Sequence, residues 1–255
     1  MGAPLLVRTT RSVSLTDAGE RVVRSVGPHI AEIRAELESL RSASSGPAGT
    51  VRITATDRDA NTVVWPRIKS LLREYPNIKI EIFTDYGLAD IVADRFDIGI
   101  RHGDNVAQDM IAARIAPDLT MTVVGTADYL DERPAIKVPQ DLSSHNCINL
   151  RLPTKDSLLP WELKKGKRQV QVRATGQLTF NNVYQIAEAA LEGFGLAYLP
   201  KDMAQPYVDS GRLKWVLEDW YPTYMGLHVY YPSRRKSSKA VELVVEALKA
   251  GYKHK

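Results

Sequence analysis

The sequence predicts an α/β protein of two similar lobes, preceded by a short β-ribbon and a long amphipathic helix. Three observations lead there. Strand-like and helix-like segments alternate from Val51 onward, the pattern of a largely parallel sheet covered by helices on both faces. The alternation runs through two successive series, the second beginning at Leu119. Ahead of both, Ser42-Ala43-Ser44-Ser45-Gly46-Pro47-Ala48-Gly49 holds only small residues and helix breakers, so it packs poorly and reads as a hinge.

Leu5 to Leu15 is rich in β-branched residues, with Val7, Val13 and Leu15 alternating around a polar centre, which predicts a tight two-stranded ribbon. Thr16-Asp17-Ala18-Gly19-Glu20 offers a side-chain oxygen for free backbone N–H groups and early acidic residues, so a helix starts near Thr16. Val22, Val26, Ile30, Ile33, Leu37 and Leu40 then form one apolar seam at helical spacing. Such a stripe suits a helix that pairs with a partner, and equally one packed on its own domain. Pro28, after Gly27, removes a backbone donor and crowds the Arg24 carbonyl, so a kink or break is expected there.

Beyond the hinge, the first series reads as strand Val51 to Ala55, helix Thr62 to Tyr75, strand Ile78 to Phe83, helix Leu88 to Asp94 and strand Phe96 to Ile100. In the second, strand Leu119 to Gly125 leads to a short helix Ala127 to Leu130 and strand Cys147 to Leu150. A hairpin through Trp161, Lys165-Gly166 and Val170 to Val172 follows, then helix Asn182 to Leu191 and strand Gly195 to Leu199. Strand Leu227 to Tyr231 and helix Ser238 to Leu248 close the chain, and Leu152 to Pro160 reads as a long loop.

With 255 residues, 44% hydrophobic and 25% charged, the chain can bury one large core or two moderate ones, which excludes disordered, collagenous and disulfide-stapled classes. Apolar runs such as Met121 to Gly125 and Leu196 to Pro200 fall far short of the ~20 residues a membrane helix needs. Met1 to Arg8 lacks the features of a secretory signal, so a cytoplasmic location and no membrane partner are expected. Cys147 is the only cysteine, which rules out an internal disulfide or a multi-cysteine zinc cage and leaves a small half-buried hydrophobe. A net charge of +4 is compatible with an anionic partner and ordinary for an enzyme. Arg234-Arg235-Lys236 with Lys239 reads as a solvated loop, or as a phosphate contact.

Leu6-Val7-Arg8-Thr9-Thr10-Arg11-Ser12-Val13-Ser14-Leu15-Thr16-Asp17-Ala18-Gly19 resembles the wing and following helix start of LysR-type transcriptional regulators. Further along, Val51-Arg52-Ile53-Thr54-Ala55, Trp65-Pro66, Glu74-Tyr75-Pro76 and Phe96-Asp97-Ile98-Gly99-Ile100-Arg101 match the family's order. So do Gly193-Phe194-Gly195-Leu196-Ala197-Tyr198-Leu199-Pro200, Gly211-Arg212-Leu213 and Tyr231-Pro232-Ser233-Arg234-Arg235, and the resemblance covers essentially all 255 residues. It implies an effector domain like the type II periplasmic binding proteins, with a small molecule held between two α/β lobes. Where the chain departs from the family is its start: only a few residues precede the wing, too few for two helices of a helix-turn-helix. Major-groove base readout is therefore expected to be missing, through truncation or a start codon placed too late. Arg8 and Arg11 flank the ribbon turn and can reach phosphates or a narrow minor groove, or remain solvated.

In open α/β sheets, ligands bind beyond the carboxyl ends of strands, which points to the loops after Ala55, Ile100 and Ile148 and to the helix start after Phe180. There Thr56, Asn61 and Asn182 offer hydroxyl, amide and free N–H groups suited to a carboxylate, and Arg101 and Arg151 offer bidentate contacts. Thr56, Asp57, Arg58, Arg101, Asn149, Arg151 and Asn182 form the candidate effector site. Asp57 and Asp59 also read as caps or arginine partners, Arg101 as one half of a structural ion pair, and Asn181-Asn182 as a helix cap alone. Trp161, Tyr184 and Phe194 line a cleft or a core, and Gly193 with Gly195 reads as a tight helix-to-strand turn.

Enzyme signatures fail one by one. Gly193-Phe194-Gly195-Leu196 lacks the third glycine of a dinucleotide fingerprint and precedes a strand. No phosphate loop, histidine pair at metal spacing or serine elbow occurs, and His102 near Asp97 and Asp104 reads as a solvated or structural histidine. No catalytic activity, cofactor or metal is expected; a stand-alone solute-binding protein, or less readily an enzyme on a related fold, is the alternative. The expected organisation is a wing remnant over 1–15, linker helix and hinge over 16–49, one lobe from 50–118 with 226–255, and the other from 119–225. Expected partners are a small-molecule effector, further copies of the chain in a homodimer or homotetramer, and DNA in a full-length protein.

Overall fold

The computed structural model describes residues 3–8, 13–27, 29–30, 33, 46–87, 91, 93–103, 110–153, 157–232 and 238–252. β1 (Leu6–Arg8) and β2 (Val13–Leu15) pair antiparallel, Leu6 opposite Leu15 and Arg8 opposite Val13, which is the expected ribbon. The Thr16 hydroxyl then accepts from the Gly19 N–H at 3.0 Å and donates to the Pro4 carbonyl at 2.7 Å, capping helix α1 (17–27) and fastening it to the ribbon. Gly19 is required for space, because a Cβ there would lie 2.1 Å from the Leu5 carbonyl oxygen. Val22, Val26, Ile30 and Ile33 are 37–60% exposed, so this part of the seam is not buried within the chain. Pro28, Leu37 and Leu40 lie outside the described residues.

The first sheet combines β3 (Gly49–Ala55), β4 (Ile78–Thr84), β5 (Ile98–His102) and β6 (Met110–Arg114) with a late strand, Leu227–Pro232. β4, β3 and β5 are parallel, whereas the late strand runs antiparallel between β5 and β6. Between β3 and β4 the chain forms α2 (Asp57–Asp59), a π-turn (Ala60–Val64) and α3 (Trp65–Glu74). The π-turn lies directly ahead of Pro66 in the first turn of α3, where the proline's missing N–H costs the helix nothing. Ile53, Val64, Ile68, Ile98, Val229 and Val244 share one apolar core.

In the second lobe, β7 (Leu119–Gly125), α4 (Ala127–Asp131), β8 (Cys147–Leu152) and β9 (Ser157–Leu158) come first. The hairpin of β10 (Trp161–Lys165) and β11 (Arg168–Val172) and the short β12 (Thr179–Phe180) follow. Then come α5 (Val183–Leu191), β13 (Leu196–Pro200), α6 (Lys201–Asp209), β14 (Lys214–Val216) and β15 (Thr223–Tyr224). The sheet order is β12-β8-β13-β7-β14, with β15 on β7 and β9 on β8. One face packs Trp161, Leu163, Tyr198 and Trp220, and the other packs Ile148, Ile186, Ala190 and Leu213 under α5 and α6. The late strand Leu227–Pro232 (β16) and α7 (Lys239–Ala250) then return to the first lobe.

Two short crossings therefore join the lobes, and they lie against each other: the Ile115 N–H donates to the Leu227 carbonyl at 2.7 Å. A Cβ on Gly226 would stand 2.2 Å from the Ala116 carbonyl oxygen, so this crossing admits no larger residue without shifting.

Several expectations change. Each sheet is largely parallel in strand direction but carries a reversed strand inside it, β16 between β5 and β6 in the first and β7 between β13 and β14 in the second. The helix anticipated at Thr62 begins at Asp57. Of the helix anticipated over 88–94, residues 91, 93 and 94 are turn, and the rest lie outside the described residues. α6, which contains Pro206, was not among the expected helices.

Candidate functional site

A cavity of about 310 Å³ opens between the lobes, lined by Asp57, Thr84, Asp85 and Tyr86 on one side and Arg151, Leu152, Pro153, Asn181 and Asn182 on the other. These residues sit at or just after the carboxyl ends of β3, β4, β8 and β12, where the parallel strands leave backbone groups and loops facing the crevice.

Asp57 is the hub of the first wall. It is 7% exposed, accepts from its neighbour's Arg58 N–H at 2.8 Å, and receives the Tyr86 hydroxyl in a short hydrogen bond. Its second oxygen crosses the cleft to accept the Val183 N–H at 3.1 Å. Val183 is the first residue of α5, whose cap Asn182 accepts from the Tyr184 and Gln185 N–H groups at 2.9 and 3.3 Å. The positive end of α5 is thus satisfied by a side chain of its own lobe and by a carboxylate of the other. Burial, together with the Asp57 carboxylate, pushes the Tyr86 phenol far above its ordinary pKa, so Tyr86 stays a donor.

A second bridge runs beside the first. The Arg58 guanidinium pairs with Asp59 at 2.6 Å and with Asp202, near the start of α6, in a short contact. Burial disfavours its charge, but the two carboxylates outweigh that and hold its pKa above the usual value. Thr56 caps α2, accepting from the Asp59 N–H at 3.1 Å and donating to the Asp59 carboxylate at 2.8 Å.

The sequence-derived candidates divide accordingly. Asp57, Arg151 and Asn182 line the cavity, as does Asn181. Thr56 and Arg58 stand behind the wall and brace it. Arg101 is a strut: 4% exposed, it donates to the Gly87 carbonyl at 2.8 and 3.1 Å, to the Ile100 carbonyl at 2.8 Å and to Thr54 at 3.0 Å. Its burial lowers its pKa. Asn149 is buried, donating to the Cys147 carbonyl at 3.2 Å, and its side-chain oxygen has no partner among the described residues. Arg8 lies in the ribbon, and Arg11 is outside the described residues. Asn61 is exposed in the π-turn, Trp161 stacks on Tyr198 in the core, Tyr184 packs against the α5 core and Phe194 is exposed. Gly193 and Gly195 make the α5-to-β13 turn with φ of 80° and 152°. His102 meets the Met225 carbonyl at 3.0 Å, while Asp97 accepts from the Arg52 N–H; Asp104 is outside the described residues.

Thr84, Asp85 and Tyr86 were missed. Their signal was present, since a polar Thr-Asp-Tyr-Gly directly after a predicted strand that neighbours β3 must face the same crevice. Among the described residues, no group of three or more His, Cys, Asp or Glu is placed to hold a metal ion, and no helix is long and apolar enough to cross a membrane.

The model of the LysR substrate binding domain matches residues 44–253. A putative transcriptional regulator of Pseudomonas aeruginosa is 47% identical over 245 residues, 96% of this chain and 80% of the relative. The HTH-type transcriptional regulator PgrR of Escherichia coli is 41% identical over 249 residues, 98% of this chain and 83% of the relative. Among solved structures, the full-length Vibrio cholerae virulence activator AphB superposes with a TM-score of 0.72 at 24% identity, over 98% of this chain and 84% of that one.

Proposed function

Since this chain belongs to the LysR family of transcriptional regulators and carries their effector-sensing domain, we propose that it senses a small molecule in the cavity between residues 50–118 with 226–255 and residues 119–225. The observation that carries the reading is the cavity itself, built from strand ends of both lobes. Asp57, Arg151 and Asn182 contact the effector, with Asn181, Thr84, Asp85 and Tyr86 completing the walls. Thr56, Arg58, Arg101 and Asn149 hold those walls in place. An effector that binds the two lobe arrangements with different affinity shifts their balance, and one that binds both equally shifts nothing. The change passes through the hinge to α1, whose exposed seam pairs with a second copy in a homodimer or homotetramer, and Arg8 and Arg11 of the ribbon contact DNA phosphates or the minor groove. The protein works in the cytoplasm and catalyses no reaction.

The test is a reporter driven by the intergenic region beside the gene, in its native cell. Deleting the gene is expected to change reporter output, and Asn182→Ala or Arg151→Ala to uncouple output from growth conditions while chromatin occupancy persists. A reporter indifferent to the deletion and to both substitutions refutes the reading.

A further inference from the structure

The two walls of the cavity differ in charge, and that difference selects a ligand class. On the first-lobe wall stand Asp57 and Asp85, with Thr84 and Tyr86; on the second-lobe wall stand Arg151, Asn181 and Asn182, with Leu152 and Pro153. A helix N-terminus facing a cleft ordinarily attracts a ligand's carboxylate. Here that place is filled, because the Asp57 carboxylate accepts the Val183 N–H at 3.1 Å from across the cleft. A plain di-anion entering the cavity meets two carboxylates against one guanidinium, an unfavourable balance where solvent screening is partial. Asp57 uses one oxygen for Arg58 and Tyr86 and the other for Val183, and Asp85 accepts from the Gly87 N–H at 2.5 Å, so acceptor lone pairs remain on both carboxylates.

We propose that the cavity takes an amphoteric small molecule, its protonated amine held on the Asp57 and Asp85 wall and its anionic end toward Arg151. The proposal rests on reading the cleft as the effector site, and it adds the chemistry of the ligand. A dipolar molecule in this orientation touches oppositely charged walls on different lobes, so its binding energy depends on how the lobes are arranged. That dependence is what a sensor requires.

The test is isothermal calorimetry on the full chain with a panel of free amino acids and dipeptides, each beside its N-acetylated form, and with dicarboxylates of similar size. Binding by one or more free amines, lost on N-acetylation and weakened about tenfold or more by Asp85→Asn and by Arg151→Gln, is the expected result. Both substitutions fall on partly or fully exposed wall residues outside the Asp57 bridge, so the fold should persist; circular dichroism checks it. Binding by dicarboxylates or acetylated forms that Arg151→Gln weakens overturns the ligand class and leaves the cleft reading standing. Binding that neither substitution changes overturns both. No binding by any free amine in the panel overturns the ligand class.

Discussion

Asp57→Asn isolates the contact that ties the lobes together. The wild-type carboxylate takes three donors: the Arg58 N–H, the Tyr86 hydroxyl and the Val183 N–H. Asparagine keeps one acceptor oxygen. Set toward Arg58 and Tyr86, it turns its NH2 against the Val183 N–H, so a donor faces a donor. A hydrogen bond to a charged group contributes about 1.5–3 kcal/mol, and a negative charge at a helix start about 0.3–1 kcal/mol more. The expected loss is about 2–4 kcal/mol, toward the lower end because water can approach from the adjoining cavity. Urea unfolding at pH 7, followed by tryptophan fluorescence, reads the loss. Trp65 reports on the first lobe and Trp161, Trp215 and Trp220 on the second, so separate transitions are visible if the lobes uncouple. Combined with Tyr86→Phe, the cycle should give a coupling of about 1 kcal/mol. A loss below about 0.5 kcal/mol in Asp57→Asn would refute the bridging role.

Asp202→Asn removes the other inter-lobe pair, but the Asp202 side chain is 56% exposed, so the same unfolding assay should register only about 0.5–1 kcal/mol. Gly226→Ala sets a methyl group against the Ala116 carbonyl, and about 2 kcal/mol or more of lost stability is expected, with normal stability in the variant counting against a tight crossing. Burial raises the Cys147 thiol to about 12, whereas the unfolded thiol titrates near ~8.5. The folded pKa is the higher one, so the thiol's contribution is complete below the unfolded value of ~8.5 and declines as pH rises from there toward about 12, by at most about 1.4 kcal/mol per pH unit. The half-buried Tyr86 and buried Tyr198 phenols, also raised, steepen the decline above pH ~10. Urea midpoints should therefore fall from pH 8 to pH 11, less steeply in the lower part of that range for Cys147→Ala, and coincident curves would sink the assignment.

Much of this was legible in the chain because short-range chemistry decides it. The ribbon before Thr16, the cap at Asn182, the Lys165-Gly166 hairpin and the strand at Leu119 each follow from residues within one or two turns of each other. What sequence reading could not supply was pairing at a distance. That β16 enters the first sheet antiparallel depends on a partner more than a hundred residues away. Arg101 illustrates the same limit: its chemistry suits a ligand, but its position in β5 beneath Gly87 commits its donors to backbone carbonyls and the Thr54 hydroxyl. Asp57 was recognised as a cap or a binder, and it serves as a cap for a helix of the opposite lobe, which local spacing cannot reveal.

The path of the chain through the sheets also bears on how the protein is made. β16 lies between β5 and β6, so β6 has no place beside the β4-β3-β5 sheet until residues 227–232 leave the ribosome. Every strand of the second sheet lies within 119–224 and can assemble before then. The lobe that begins first is thus completed last, and its apolar edge waits through the synthesis of more than a hundred residues, roughly 5–20 s at ordinary rates of elongation. During that interval β5 and β6 present unpaired backbone to their surroundings, and the nascent protein is at its most vulnerable to wrong pairing before the last strand arrives.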